Sequence, residues 1–303
     1  MTAPYKPGAV PHSPLATDRL TRSGGPRRAA DQGDTGMMGG VSESPVASLR
    51  AVAATRYVTP LREGGSLPGL VEADDLGMYV LKFRGAGQGL KALAAEVVVG
   101  ELARALGLRV PELVLVDLDP DLGRAEPDEE VQGLLRASGG RNLGSDYLPG
   151  SFDFTPAVRD PGPDLAARVL WLDAVTLNVD RSWRNPNLLL WHRDVWLIDH
   201  GAALYFHHRF APGWAPAATY RWDPADHVML RAAGPVDAAH AELSARVPEA
   251  VDRALWLVPD EWLDPVFETP DAARAAYRAY FDARLADAPR WLAEVEAARV
   301  ARV

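Results

Sequence analysis

Three oxygen-bearing side chains between Leu177 and Gly201 carry the first chemical signal in this sequence. Asp180 and Asn185 stand five residues apart, and Asp199 follows in Ile198-Asp199-His200-Gly201. Between them lie two short apolar runs, Leu188 to Trp191 and Val195 to Ile198, joined by the polar His192-Arg193-Asp194. Bulky apolar runs on either side of a polar tip predict two strands of a hairpin. A hairpin returns the chain near its start, so Asp199 is expected beside Asp180 and Asn185. That cluster suits phosphoryl transfer from ATP, in which one carboxylate orients and deprotonates a hydroxyl while an Asn and a second Asp hold magnesium. Magnesium is a hard cation and takes oxygen ligands, which both residue types supply. The alternative is structural: Asp180 and Asn185 as turn residues, and Asp199 as the end of a strand.

The triplet His192-Arg193-Asp194 is a decoy. Phosphotransferase catalytic loops spell His-Arg-Asp and carry an Asn five residues on, but Asp199 stands at that distance from Asp194. The triplet also sits between two apolar runs, where a solvated turn belongs. The catalytic aspartate is therefore read as Asp180.

The elements that must position this cluster begin upstream. Ala51 to Pro60, Leu70 to Ala73 and Met78 to Phe83 read as three strands joined by short turns, which predicts an antiparallel sheet. Lys82 lies in the third strand, where a lysine is expected to point to the surface. It is either a solubilising edge residue or a ligand for nucleotide phosphates. Lys91 to Leu106 is a strong helix former with apolar residues at helical spacing, ended by Gly107. Glu96 lies within it and is read either as the partner of Lys82 or as a solvated residue; Glu101, on a different face, competes for the role. Two glycine-rich stretches compete for phosphates, Gly64-Gly65-Ser66 between the first two strands and Gly85 to Gly89 after the lysine strand. Amides free of side chains approach phosphate oxygens closely, and position favours the first.

Further along, Leu113 to Leu118 reads as a buried strand, Val131 to Ala137 as a short helix, and Asn142 to Leu148 as another strand. Asp164 to Asn178 is a largely apolar helix that delivers the chain to Asp180. His207-His208 invites a metal reading, but no HExxH pattern or cysteine accompanies it. Trp214 and Trp222 read as packing residues. The C-terminal third predicts helices over Val236 to Arg246, Pro248 to Leu257 and Pro259 to Phe267, then one capped by Thr269 before Pro270, and a last one opened by Pro289.

Composition sets the outer bounds. With 303 residues and 48% hydrophobic content, the chain can bury a large core. Its net charge of −9 argues against a nucleic-acid surface. No cysteine is present, which removes disulfides and thiolate metal sites. No apolar run nears the length of a membrane span, and no apolar leader opens the chain, so a cytoplasmic protein is expected. Residues 1–48, rich in Pro, Gly, Ser and Arg, are expected to form a disordered tail.

Three stretches together resemble the HipA-like kinase family of the protein-kinase-like superfamily: residues 81–108 (LKFRGAGQGLKALAAEVVVGELARALGL), 178–190 (NVDRSWRNPNLLL) and 197–204 (LIDHGAAL). The resemblance implies an α+β fold of two lobes, a small antiparallel-sheet N-lobe over 49–148 and a mainly helical C-lobe over 149–303. It further implies that Lys82 contacts the α- and β-phosphates of ATP with Glu96 in support, that Asp180 is the general base, and that Asn185 and Asp199 bind Mg2+. Gly64, Gly65 and Ser66 would cover the phosphates, and Tyr147 and Leu148 would occupy the interlobe hinge that meets adenine. The sequence departs from the family in having Ser182 where a His usually follows Asp-Arg, and Asp-His-Gly at the metal loop; Asn187 is a second possible metal ligand. The expected activity is an ATP- and Mg2+-dependent transfer to a hydroxyl, Ser or Thr on a protein. A small-molecule kinase and a catalytically silent scaffold are the alternatives.

Overall fold

In the third strand, the two-residue period sorts side chains onto opposite faces. Tyr79 and Leu81 are buried, while Val80 and Lys82 on the other face are partly exposed. The computed structural model describes residues 48–61, 67–87, 89–217 and 219–301. The expectations for the N-terminal tail up to residue 47 and for Gly64, Gly65 and Ser66 fall outside these described residues.

Five strands close into a barrel: β1 (Ala51–Pro60), β2 (Gly69–Ala73), β3 (Met78–Lys82), β4 (Leu113–Leu118) and β5 (Gly140–Asp146), in the order β1-β2-β3-β5-β4. β1, β2 and β3 pair antiparallel as expected, but the sheet as a whole is not all antiparallel, because β1 and β4 pair in parallel, with Ala51 opposite Leu115 and Ala53 opposite Asp117. A parallel pair needs a long crossover, and the chain from β3 through α1 (Gly89–Ala105) lets β4 enter beside β1. Closure leaves no unpaired edge in this sheet. Tyr79, Leu81 and Phe83 fill its interior with Val71, Val114 and Val116. Gly144 is required there: a Cβ would lie 2.6 Å from Val116 Cγ2 and 2.9 Å from Val114 Cγ2. Helix α2 (Glu129–Ala137) packs on this core through Val131 and Leu135, its first turn capped by Asp128, which accepts from Glu130 N at 3.0 Å.

Helix α1 is buried from Leu93 through Gly100. A helix apolar on every side belongs in an interior, and α1 packs against α5 (Val247–Leu257). Helix α3 (Pro163–Thr176) is likewise buried from Val169 to its end. The remaining helices are α4 (Val236–Leu243), α6 (Pro270–Ala286) and α7 (Ala288–Val300). Thr269 caps α6, accepting from Ala272 N at 3.1 Å. Pro259 to Phe267, expected as a helix, contains only the 3-10 turn Asp260–Trp262. Among the described residues no helix is long and apolar enough to cross a membrane.

A second sheet runs β6 (Phe152–Asp153), β7 (Leu188–Trp191), β8 (Asp194–Leu197). Trp191 pairs with Asp194, so the hairpin loop is His192-Arg193 alone, with φ of 48° and 71°. Two consecutive left-handed residues make a type I′ turn, whose twist suits a two-residue hairpin. Asp194 opens a strand rather than sharing the tip. Strand β6, two residues long, has no signal in the sequence.

Candidate active site

Lys82 leaves β3 on the face away from the barrel interior, and its ammonium meets two carboxylates. Nζ donates to Glu96 Oε1 on α1 and to Asp199 Oδ1 at 2.5 Å. Burial alone would lower the pKa of this ammonium, but Glu96 and Asp199 outweigh it and raise it. Glu96 is 3% exposed. Its Oε1 also accepts from Gly201 N at 2.7 Å, which ties α1 to the loop carrying Asp199. Burial raises the Glu96 carboxyl's pKa against the pull of Lys82, whereas the Lys82 ammonium holds Asp199 down at about 2. Glu101 takes no part: it pairs with Arg104 on its own helix.

Asp199 and Asn187 both hold left-handed backbone, with φ of 58° and 49°. Such conformations cost free energy outside glycine and cluster where side chains must be aimed. Leu177, at φ 54°, ends α3 and turns the chain toward Asp180. There Asn178 Oδ1 accepts from Asp180 N at 3.1 Å. Two amides then converge on Asp180: Asn185 Nδ2 donates to Oδ2 at 3.0 Å, and Asn187 Nδ2 donates to Oδ2 at 3.2 Å and to the backbone carbonyl at 3.0 Å. Both Asn185 and Asn187 thereby engage Asp180 through nitrogen and leave an amide oxygen for a cation.

Arg181 is the hub behind this loop. Its buried guanidinium donates through Nε to Asp173 Oδ2 at 2.6 Å, through Nη1 to the Asn187 carbonyl, and through Nη2 to His200 Nδ1 at 3.2 Å. An arginine only donates, so His200 carries its proton on Nε2. Burial and the neighbouring Arg181 push the His200 pKa down to about 3. Asp173 is ionised: burial opposes this, but Arg181 and the His227 hydrogen bond bring its pKa to about 2.

Two cavities meet at the Lys82 ion pairs. One, of about 490 Å³, is lined by Lys82, Glu96, Asp180, Asn185, Asn187 and Asp199. The other, of about 650 Å³, is walled by Val80, Leu113, Tyr147, Leu148, Leu189 and Ile198 and also reaches Lys82, Glu96 and Asp199. Both volumes lie in the range of small-molecule sites. Tyr147 and Leu148 thus border the apolar cavity, though the Tyr147 amide donates to the Met78 carbonyl at 3.0 Å. In the second glycine-rich stretch, Gly85 serves packing, since a Cβ would lie 2.8 Å from the Ala137 carbonyl, while Ala86 and Gly89 border the polar cavity.

The donor set fits magnesium. The Asp199 carboxylate and the amide oxygens of Asn185 and Asn187 share one cavity, and all are hard donors. Among the described residues no group of three or more His, Cys, Asp or Glu is placed to hold a metal ion, so amides must complete such a set. His207 instead pairs through Nδ1 with the Tyr277 hydroxyl at 3.0 Å. Trp214 stacks on Phe206, and Trp222 packs while donating to the Asn178 carbonyl at 2.7 Å.

Sequence reasoning missed Asp173 and His227. A lone aspartate within the apolar run of α3 was the available signal for Asp173. His227 had none, because its partner lies 54 residues away.

The sequence model of a family described as HipA-like kinase matches residues 55–274. A search of curated proteins finds no match. Among solved structures, the crystal structure of a Helicobacter pylori proinflammatory kinase, CtkA, is similar at 10% identity with a TM-score of 0.48, covering 82% of this chain and 97% of that one.

Proposed function

Because this chain belongs to the HipA-like kinase family, we propose that it is an ATP- and Mg2+-dependent phosphotransferase with a two-lobed architecture, transferring the γ-phosphate to a hydroxyl. Its lobes would divide near residue 148, with 49–148 before the division and 149–303 after it. The observation that carries the reading is the Lys82 ammonium held between Glu96 and Asp199 where the two cavities meet. The apolar cavity suits a purine ring, with Tyr147 and Leu148 at its border. The polar cavity suits the phosphates.

The charge balance supports a cation requirement. Four carboxylates (Glu96, Asp153, Asp180 and Asp199) face two cations, Lys82 and Arg184, among the described residues of the polar cavity. A polyphosphate entering that field needs added positive charge. Asp199 with Asn185 or Asn187 would hold a magnesium ion, which would supply that charge. Asp180, held by two amides, is aimed to orient a hydroxyl and accept its proton. Lys82 stabilises the charge that develops on the phosphate oxygens, and Glu96 keeps it in place.

The acceptor is a Ser or Thr hydroxyl of a protein. A small-molecule acceptor is the second reading, favoured by the acidic lining of the polar cavity, which would attract a cationic compound. The deciding experiment follows γ-phosphate transfer from ATP, with and without Mg2+, to protein and small hydroxyl acceptors, alongside nucleotide binding by calorimetry. Asp180→Asn is expected to bind ATP normally and to turn over 10²–10⁴-fold more slowly. Nucleotide binding with no transfer in the wild type would instead identify a catalytically silent scaffold.

A further inference from the structure

Arg181 directly follows the candidate general base, and its side chain is fully buried. A buried guanidinium is costly unless its counter-charge is firmly placed. Asp173 supplies that charge, and three donors converge on it. Arg181 Nε and His227 Nε2 reach Oδ2 at 2.6 and 2.8 Å, and Asn178 Nδ2 reaches Oδ1 at 3.0 Å. The tautomer of His227 follows from its other nitrogen. Met229 N donates to Nδ1 at 3.2 Å, so the ring proton sits on Nε2 and points at Asp173.

The backbone around His227 is attached to the same loop. Trp183 N donates to the Asp226 carbonyl at 3.1 Å and Val228 N to the Arg181 carbonyl at 3.3 Å. Ser182 and His227 form an isolated antiparallel bridge. Arg184 adds an ion pair to Asp226 at 3.3 Å. Residues 226–228 therefore lie along 181–183 as a strap, and His227 is its inward pin.

We propose that His227 is a positioning residue for phosphoryl transfer: its Nε2–H fixes the Asp173 carboxylate against Arg181, and Arg181 fixes the Asn187 carbonyl and the His200 ring. Through those contacts one imidazole sets the relation between Asp180 and Asn187 on one side and the loop bearing Asp199 on the other. The kinetic consequence rests on the phosphotransferase reading; the geometric one does not. Displacing a reacting group by about 1 Å costs on the order of 10²-fold in rate. The apolar cavity contains neither His227 nor Asp173, and the brace reaches it only through His200 and the Asp199 loop, so turnover is expected to suffer more than nucleotide affinity.

The test compares wild type with His227→Ala, His227→Gln and His227→Asn. Glutamine carries an amide N–H to the reach of Nε2, whereas asparagine stops near Nδ1. We would measure kcat and KM for ATP with casein and with water as probe acceptors, and the side-chain amide NMR signals of Asn185 and Asn187. The expected result is a kcat lower by about 10–100-fold in the Ala and Asn variants, a KM for ATP that changes by a smaller factor than kcat, displaced Asn185 and Asn187 signals, and recovery of kcat and the amide signals in His227→Gln. Wild-type kcat and amide signals in His227→Ala would overturn the proposal, even with a lowered Tm. So would a Gln variant as impaired as the Asn one, a comparison that still decides if the Ala variant does not fold. A wild type inert toward MgATP with both acceptors would sink the phosphotransferase reading, and the amide signals alone would then decide the role of His227.

Discussion

Lys82 Nζ lies 2.5 Å from Asp199 Oδ1, although 117 residues separate the two in sequence. The same ammonium meets Glu96, so one cation on a strand serves two carboxylates, one from a helix and one from a loop. Neither carboxylate is replaceable by the other: Glu96 is anchored by Gly201 N, and Asp199 faces the polar cavity.

Removing either side of the Lys82–Glu96 pair should therefore disable the same unit. Lys82→Met is expected to lower kcat/KM by about 10²–10³-fold, and Glu96→Gln by a comparable factor. The double variant should fall little further, because groups acting as one unit are not additive. A double-mutant cycle on kcat/KM checks this, and simple multiplication of the two losses would contradict the shared role.

Gly201 offers a steric probe of the same junction. A Cβ there would lie 3.0 Å from Glu96 Oε1 and 3.5 Å from Ala92 Cβ. Gly201→Ala crowds the Glu96 carboxylate and shifts it within its contacts to Gly201 N and Lys82. Turnover is expected to drop about 10–100-fold with the fold retained, as read by kinetics beside circular dichroism.

Asp173 makes stability depend on acid. Its folded pKa of about 2 lies below the ordinary 3.8, so the unfolded chain binds protons first as pH falls. Stability on the order of 2 kcal/mol is present above about pH 4 and is lost as pH drops toward 2. Asp173→Asn should lack that component of the acid transition. At neutral pH it should lose about 3–5 kcal/mol, because Arg181 stays buried without its counter-charge. Denaturant titrations between pH 2 and 7 measure both.

The hairpin tip separates Asp180 from its decoy. His192 and Arg193 both hold positive φ, so His192→Asn with Arg193→Gly suits the turn better. The double variant is expected to gain a few tenths to about 1 kcal/mol in stability and to keep full phosphoryl transfer. Loss of transfer would move the catalytic aspartate to Asp194.

Local patterns read most elements of this protein, with β6 and the turn Asp260–Trp262 as exceptions, because each of the others has a physical signature confined to a few residues. The two-residue period of β3, the apolar runs of α1 and α3, and the strands either side of His192-Arg193 are all legible in the chain, as are the residue types of a phosphotransferase. What the sequence leaves open is decided by pairing and burial between distant segments. Closure of the barrel through Ala51 opposite Leu115 leaves no local trace, nor does the choice of Glu96 over Glu101, which depends on which face of a largely buried helix meets Lys82. Asn187 joins Asn185 on Asp180 only because its backbone turns left-handed. Asp173, Arg181 and His227 become one brace only once α3 and the 226–228 strap pack on the same loop. A hydrogen bond across 54 residues has no period, and only the folded chain can put its two ends together.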